Sequence, residues 1–451
     1  MLFWDYFKGK KVTVMRIGLL GRGVGDTAYM AEAGAEITVV DAAPQEVMQP
    51  SVDALAQYEN VTFKFGPYDF ADFEDVDFVW VGAGAPLDEP VLTQCREAGI
   101  PLKQSAALFA ELSRVPIIGV TGTRGKSTVT TMIHHVLSYV TGEQVLLGGN
   151  IRGVSNLQLL NDVNDDSLCV MELDSWQLQG FGWAGISPQV AVFTTFMEDH
   201  LNYYQREGMS KDEAMSAYFA DKAQIFLHQD EAGTLITTPA VFEWIKKEFP
   251  GETLGQEVVL ADSSLIPEDA HLAMPGEHNR LNAALAYKAL EAVGLPEAEI
   301  FEGLATFPGV EGRLQLVKTV DNVRIYNDNN ATEPNATIAG LKALDLGNQN
   351  IILIAGGADK NVDLAPLALA IKDHCKRVIL TPGSGTEKLL GIIHDTEQVI
   401  TVENLEHALV TAKDTAENGD IILFSPAFAS FAQYKNEYER NDEFMSLINK
   451  I

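Results

Sequence analysis

The sequence predicts an α/β protein of three domains: a Rossmann-like N-terminal domain, a central P-loop ATPase-like domain with a mainly parallel sheet, and a Rossmann-like C-terminal domain. Three observations predict it. Strand-length apolar runs alternate with helical patterns almost throughout, the mark of layered parallel sheets. The 451 residues exceed what one core can organise. An apolar run, Val115 to Val120, passes through a Gly-bearing loop into a helical pattern that opens at Lys126. The expected divisions are residues 1–113, 114–308 and 309–451.

In the first block the expected strands are Val12–Leu20, Ile37–Asp41 and Phe78–Gly82. Gly18, Gly21, Gly23 and Gly25 follow the first strand, and Asp41 ends the second. An acidic residue at that strand end often binds a ribose. Gly21-x-Gly23-x-x-Asp26 lacks the third glycine of a dinucleotide fingerprint, and a uridine nucleotide would fit as well as NAD. The plainer alternative is a Gly-rich turn that lets the helix pack closely. A second Gly-bearing strand end, Val81-Gly82-Ala83-Gly84-Ala85-Pro86, faces the same sheet edge and can complete a pocket.

The second block opens with Val120-Thr121-Gly122-Thr123-Arg124-Gly125-Lys126-Ser127-Thr128. Backbone N–H groups and the positive end of a helix face an anion at such a junction. Lys126 can reach terminal phosphates, and the Ser127 hydroxyl can hold magnesium. Val120 stands where the strict motif has its first glycine. Further strands are expected at Leu168–Leu173, Val190–Thr195 and Leu235–Thr238, with a long helix near His278–Val293. Glu172 and Asp174 at a buried strand end suit magnesium, which takes hard oxygen ligands; helix capping is the competing role. His200 follows the next strand end in Glu198-Asp199-His200-Leu201-Asn202. Asn279 and Asn282, in Gly276-Glu277-His278-Asn279-Arg280-Leu281-Asn282, can read adenine edges or cap a helix. Third-block strands are expected at Val323–Asn327, Ile351–Ala355, Val378–Thr381 and Ile421–Ser425.

The net charge of −31 argues against nucleic acid or an anionic membrane as partner. Anionic substrates must then be held by local Lys, Arg and helix ends. Cys95, Cys169 and Cys375 lie far apart without metal spacing, so reduced thiols and a cytoplasmic protein are expected. The start, Met1-Leu2-Phe3-Trp4, meets Asp5 at once and does not read as a signal peptide. No run approaches the ~18 apolar residues of a membrane span.

Together these pieces resemble the Mur ligase family, which joins amino acids to a growing peptidoglycan precursor. Thr121 to Thr128 is similar to its ATP loop, with Arg124 in place of the usual Asn. Glu172-Leu173-Asp174-Ser175-Trp176-Gln177-Leu178 resembles the family's Glu-Leu-Ser-Ser-Phe-Gln-Leu. Asp199-His200-Leu201-Asn202 and Gly276-Glu277-His278-Asn279 match two further motifs. Ser425-Pro426-Ala427-Phe428-Ala429-Ser430 with Gln433-Tyr434-Lys435-Asn436 is similar to the signature of the members that add D-glutamate to UDP-N-acetylmuramoyl-L-alanine. Gly356-Gly357-Ala358-Asp359-Lys360 and Asn327-Asp328-Asn329-Asn330-Ala331-Thr332 resemble two more of their segments, with Asn330 in place of Lys. Asp41 is followed by Ala42-Ala43 where the family has Thr-Arg.

The resemblance implies a role for each matched residue. Gly122, Thr123, Arg124, Gly125, Lys126, Ser127 and Thr128, with Asn279, Arg313 and Asp328, would hold ATP. Ser127, Glu172, His200 and Lys222 would serve Mg2+, Lys222 as a carbamate in Ala220-Asp221-Lys222-Ala223-Gln224-Ile225. Lys126, His200 and Lys222 would be catalytic. Gly21, Gly23, Asp41 and Asn150 would meet the UDP-sugar, and Thr332, Lys360, Ser430 and Phe431 the D-glutamate.

The implied reaction is ATP-dependent amide formation through an acyl phosphate, by a cytoplasmic monomer whose partners are small-molecule substrates. The competing readings are a sister ligase adding a different amino acid, an idle nucleotide-sugar sensor on the same fold, and an NAD-dependent dehydrogenase. Lys126, Glu172, His200 and Lys222 together argue against the sensor, and the broken glycine fingerprint argues against the dehydrogenase.

Overall fold

Runs of aliphatic residues buried on both faces build three sheets in this computed structural model. It describes residues 3–19, 21–86, 88–142, 145–251, 254–345, 347–393 and 398–450. The contacts divide the chain into two units. One comprises Met1–Leu265 with Ala284–Gly303, the other Ile266–Ala283 with Leu304–Ile451.

The first unit holds two parallel sheets. Strands β1 (Lys11–Met15), β2 (Glu36–Asp41), β3 (Val61–Phe65), β4 (Phe78–Val81) and β5 (Leu102–Lys103) lie in the order β3-β2-β1-β4-β5. This is the order of a doubly wound half, with its crevice beyond the carboxyl ends of β1 and β4. Strands β6 (Ile117–Thr121), β7 (Leu146–Gly149), β8 (Cys169–Glu172), β9 (Val190–Phe193), β10 (Thr234–Thr237) and β11 (Glu257–Leu260) follow in the order β11-β10-β9-β6-β8-β7. Every residue of β6, β8 and β9 is buried, as parallel strands covered on both faces require.

In the second unit β12 (Gln315–Val320), β13 (Val323–Asn327), β14 (Ile351–Ala355), β15 (Cys375–Leu380), β16 (Val399–Thr401) and β17 (Ile421–Phe424) lie in the order β12-β13-β17-β14-β15-β16. Among the described residues of this sheet only β12 runs antiparallel to its neighbour. The two central strands of the sheet, β17 and β14, are wholly buried.

Several expected bounds change. The first strand stops at Met15, because Arg16 takes a left-handed φ of 58° and Gly18 one of 73°; Leu20 lies outside the described residues. The helix carrying Lys222 spans Lys211–Ala223. Beyond β17 a single 3-10 turn spans Ser430–Ala432, and the next helix is Glu437–Ile448. Strands β3, β5, β7, β11, β12 and β16 were not foreseen; of these, β7 alone has consecutive buried residues.

All three cysteines are free and buried, as expected of reduced thiols. Among the described residues no helix is long and apolar enough to cross a membrane.

Candidate active site

The phosphate loop leaves β6 and enters the helix Lys126–Thr141 through Gly125, which sits in the left-handed region at φ 88°. Gly122 adopts φ 143°, and a Cβ there would lie 2.0 Å from Thr194 Oγ1, so only glycine lets the loop pass the end of β9. The loop is pinned along that neighbour. Thr123 N donates to Thr195 O at 2.7 Å, and Arg124 N donates to Thr195 Oγ1 at 2.9 Å. Those two amides are thereby engaged. The anion-facing donors lie from Gly125 onward, where the first turn of a helix has no intrahelical acceptor. Arg124 itself is exposed.

Two lysines converge on this loop. Lys126 Nζ donates to Gly122 O at 2.9 Å and Thr123 O at 3.3 Å. Lys222 Nζ donates to the same Gly122 O at 2.9 Å and lies 4.9 Å from the Tyr218 ring centre. Lys222 is 1% exposed. Burial first, and the neighbouring Lys126 charge second, hold its amine well below the usual lysine range.

Glu172 ends β8, next to the loop strand: it pairs with Val120 and is buried. Its Oε1 accepts only a long bond from Asn150 Nδ2 at 3.4 Å among the hydrogen bonds resolved there. Asp174 does not join it. It caps the helix Ser175–Ala184 in a capping box with Gln177, accepting Gln177 N at 2.8 Å. His200 follows β9 and sits at φ 54°, its ring 4.8 Å from that of Trp176. Burial lowers the His200 pKa against the opposing pull of Asp199, which keeps the imidazole neutral and able to ligate.

Among the described residues no group of three or more His, Cys, Asp or Glu side chains is arranged to hold a metal ion. The donors present are of another mixture: the Ser127 hydroxyl, the Glu172 carboxylate, the His200 imidazole and a buried, deprotonation-prone lysine. Hard oxygen donors and a lysine able to become a carbamate fit a magnesium ion.

Asn150 links two parts of the first unit. Its N donates to Glu172 O at 2.7 Å, and its Oδ1 accepts Arg22 Nη1. Gly149 beside it has φ 83°, and a Cβ there would meet Glu172 O at 2.0 Å.

Beyond the ends of β1 and β4 lies a cleft of about 190 Å³. Gly18 and Gly23 line it with Gly82 and Ala83, so the two Gly-bearing strand ends share one pocket as expected. Gly21, at φ 85°, caps the helix Arg22–Glu32. Asp41 ends β2 and spends Oδ1 on the Ala43 amide at 3.0 Å. Neither lines the cleft, whereas Arg16, Arg22, Gln104 and Ser105, which the sequence did not suggest, do. The two arginines supply positive charge that Ala42-Ala43 cannot.

In the second unit the loops after β13, β14 and β17 are tied together. Ala358 and Ala429 exchange backbone bonds of 2.9 and 3.1 Å, and Ala427 N donates to Ala331 O at 2.9 Å. Lys360 Nζ meets Thr332 Oγ1 at 3.1 Å. Ser430 is buried and Phe431 is 71% exposed. All four expected amino-acid residues thus lie on loops beyond the carboxyl ends of strands that neighbour in the sheet, where such folds bind ligands.

Arg440, unforeseen within a polar helical stretch, holds this arrangement. Its guanidinium is buried and donates to Asn329 Oδ1 at 2.8 Å, Asn329 O at 3.0 Å and Phe428 O at 3.2 Å. Asp328 is buried, with Oδ1 accepting Leu314 N at 3.0 Å and Oδ2 accepting Ser425 Oγ at 2.7 Å. Burial raises its pKa to about 7, and Arg313 opposes the rise. Asn279 is not the helix cap: it is buried within the first turn of the helix Glu277–Ala292 and donates to Pro275 O at 2.9 Å.

Fold and site define a phosphate-loop α/β protein with a further cleft beyond the ends of β1 and β4. The chain matches the Mur ligase middle domain over residues 120–250 and the Mur ligase, glutamate ligase domain over residues 312–428. It is 33% identical to the UDP-N-acetylmuramoylalanine–D-glutamate ligase of Roseiflexus sp. (strain RS-1), over 98% of this chain and 99% of that protein. It is 30% identical to the ligase of the same name from Pseudoalteromonas translucida, over 99% of each. Among solved structures, the UDP-N-acetylmuramate–alanine ligase of Thermotoga maritima shares its fold at a TM-score of 0.57 and 18% identity, over 98% of this chain and 99% of that one. The chain belongs to the Mur ligase family.

Proposed function

We propose that this chain is the ATP-dependent ligase that adds D-glutamate to UDP-N-acetylmuramoyl-L-alanine in peptidoglycan precursor synthesis. The observation that carries the proposal is the convergence of Thr332, Lys360 and Ser430 at neighbouring strand ends, within a signature typical of D-glutamate addition. Residues 1–113, 114–308 and 309–451 serve as the sugar-nucleotide, ATP and amino-acid parts of a cytoplasmic monomer.

Joining a carboxylate to an amine is uphill in water, so the acid must first be activated. ATP phosphorylates the L-alanine carboxylate, the D-glutamate amine attacks the acyl phosphate, and phosphate leaves. Lys126 and the amides opening its helix stabilise the transferring phosphoryl group. Arg313 and Asp328 serve the nucleotide, with Asn279 supporting the helix start. Ser127, Glu172, His200 and carbamylated Lys222 would hold Mg2+, which offsets the charge of two anions brought together. Arg16 and Arg22 face the sugar diphosphate. Lys360 pairs with a carboxylate of D-glutamate, and Thr332 and Ser430 donate hydroxyls to it.

Phosphate release from ATP, screened across UDP-muramoyl precursors and amino acids, tests the proposal. Turnover confined to UDP-N-acetylmuramoyl-L-alanine with D-glutamate is expected; turnover with another pair would assign a sister activity. Lys360→Ala is expected to raise the Michaelis constant for D-glutamate about 10- to 100-fold, the worth of one charged hydrogen bond, with little change for ATP. Equal effects on both substrates would remove Lys360 from the amino-acid site.

A further inference from the structure

The residue that breaks the glycine fingerprint has a task of its own. Asp26 is 0% exposed, in the first helix of the chain's N-terminal sheet layer. Its Oδ1 accepts two bonds from the loop that follows β7: Ser155 Oγ at 2.5 Å and Leu157 N at 3.0 Å. Its Oδ2 is buried without a hydrogen bond.

Asp26 does not act alone on that helix. Arg22, one turn earlier on the same face, bonds Asn150 at the start of the same loop. Gly25 lies between them, and a Cβ there would fall 2.6 Å from Ser155 Cβ. The helix therefore presents a long donor, a gap and an acceptor to one loop. Within the loop, Asn156 Oδ1 accepts Gly149 N at 2.6 Å and closes it into a ring. Asn156 Nδ2 donates to Ser105 Oγ at 3.0 Å, at the wall of the cleft.

We infer that Asp26 is a positioning residue of the sugar-nucleotide site: it clamps Ser155 and Leu157 so that the loop sets Asn150 between Arg22 and Glu172. This rests on the ligase reading above. A carboxylate in a dry place is costly, and burial raises the Asp26 pKa to about 6 against the pull of Ser105, Ser155, Leu157 and Arg22. The bonds to Ser155 and Leu157 need only an acceptor, so an amide oxygen can replace the carboxylate. Loss of the acceptor frees the loop, and with it the placement of Asn150, while the phosphate loop keeps its own ties to Thr195.

The test compares full-length Asp26→Ala, Asp26→Asn and Ser155→Ala with the wild type. Asp26→Ala is expected to raise the Michaelis constant for UDP-N-acetylmuramoyl-L-alanine about tenfold, with those for ATP and D-glutamate within about twofold; Asp26→Asn restores the wild-type value within about threefold. Ser155→Ala gives the same split in smaller measure and substitutes for Asp26→Ala should that variant not fold. Without substrates, hydrogen exchange of the 150–157 amides is expected to quicken in Asp26→Ala but not in Asp26→Asn. An unchanged sugar-nucleotide constant in Asp26→Ala, or a uniform loss on all substrates that Asp26→Asn does not rescue, overturns the inference. A wild type that fails to turn over the sugar nucleotide counts against the ligase reading instead, and the exchange rates alone then decide whether the clamp exists.

Discussion

Lys126→Ala is expected to lower ATP turnover at least 10²–10³-fold while leaving the melting temperature near that of the wild type. The side chain is partly exposed and rests on the Gly122 and Thr123 carbonyls, so its removal opens no cavity in the core. Gly122 O keeps a donor in Lys222. Stability is therefore little changed, whereas the charge proposed to face the γ-phosphate is gone. Phosphate release and thermal melting of the purified variant check both halves. Near-normal turnover would withdraw the phosphate-loop assignment altogether.

Lys222→Ala is expected to abolish amide formation and to recover part of it with added acetate or formate. Carbon dioxide reacts only with a neutral amine, and Lys222 is placed to be one by its burial and by Lys126 nearby. A small carboxylate can enter the space left by the side chain and supply the oxygens the carbamate would have supplied. Rates measured with and without added carboxylate, and wild-type rates with and without bicarbonate, read this out. A variant of full activity would exclude the carbamate.

How much of this was legible in sequence depended on whether the residues of a site are neighbours in the chain. The phosphate loop is contiguous, so its strand, glycines and Lys126 were readable together. The loops carrying Thr332, Lys360 and Ser430 were each readable, but their proximity follows from the strand order, which no single segment encodes. The cleft at β1 and β4 draws Arg16, Arg22, Gln104 and Ser105 from separated positions, and even Arg22, inside the glycine fingerprint, stands where that pattern specifies no residue type. Edge strands β11 and β16 carry no buried run for a pattern to catch. Asp174 showed the limit of reading residue types alone: an acid beside Glu172 was equally consistent with a ligand and a cap, and only its bond to Gln177 N decided between them. Asp26 was visible as a departure, but its partners lie 129 and 131 residues away.

Arg440 ties together two loops that leave different strands. One guanidinium plane is the common reference for Asn329 and for Phe428, so neither loop can drift without the other unless a charged, water-free hydrogen bond is broken. Thr332 and Ser430 each lie a few residues along from those anchor points. The separation of their two hydroxyls is therefore dictated less by the flexibility of either loop than by the fixed span of a single planar cation, a ruler that belongs to neither loop and that the proposed amino-acid substrate would meet already cut to length.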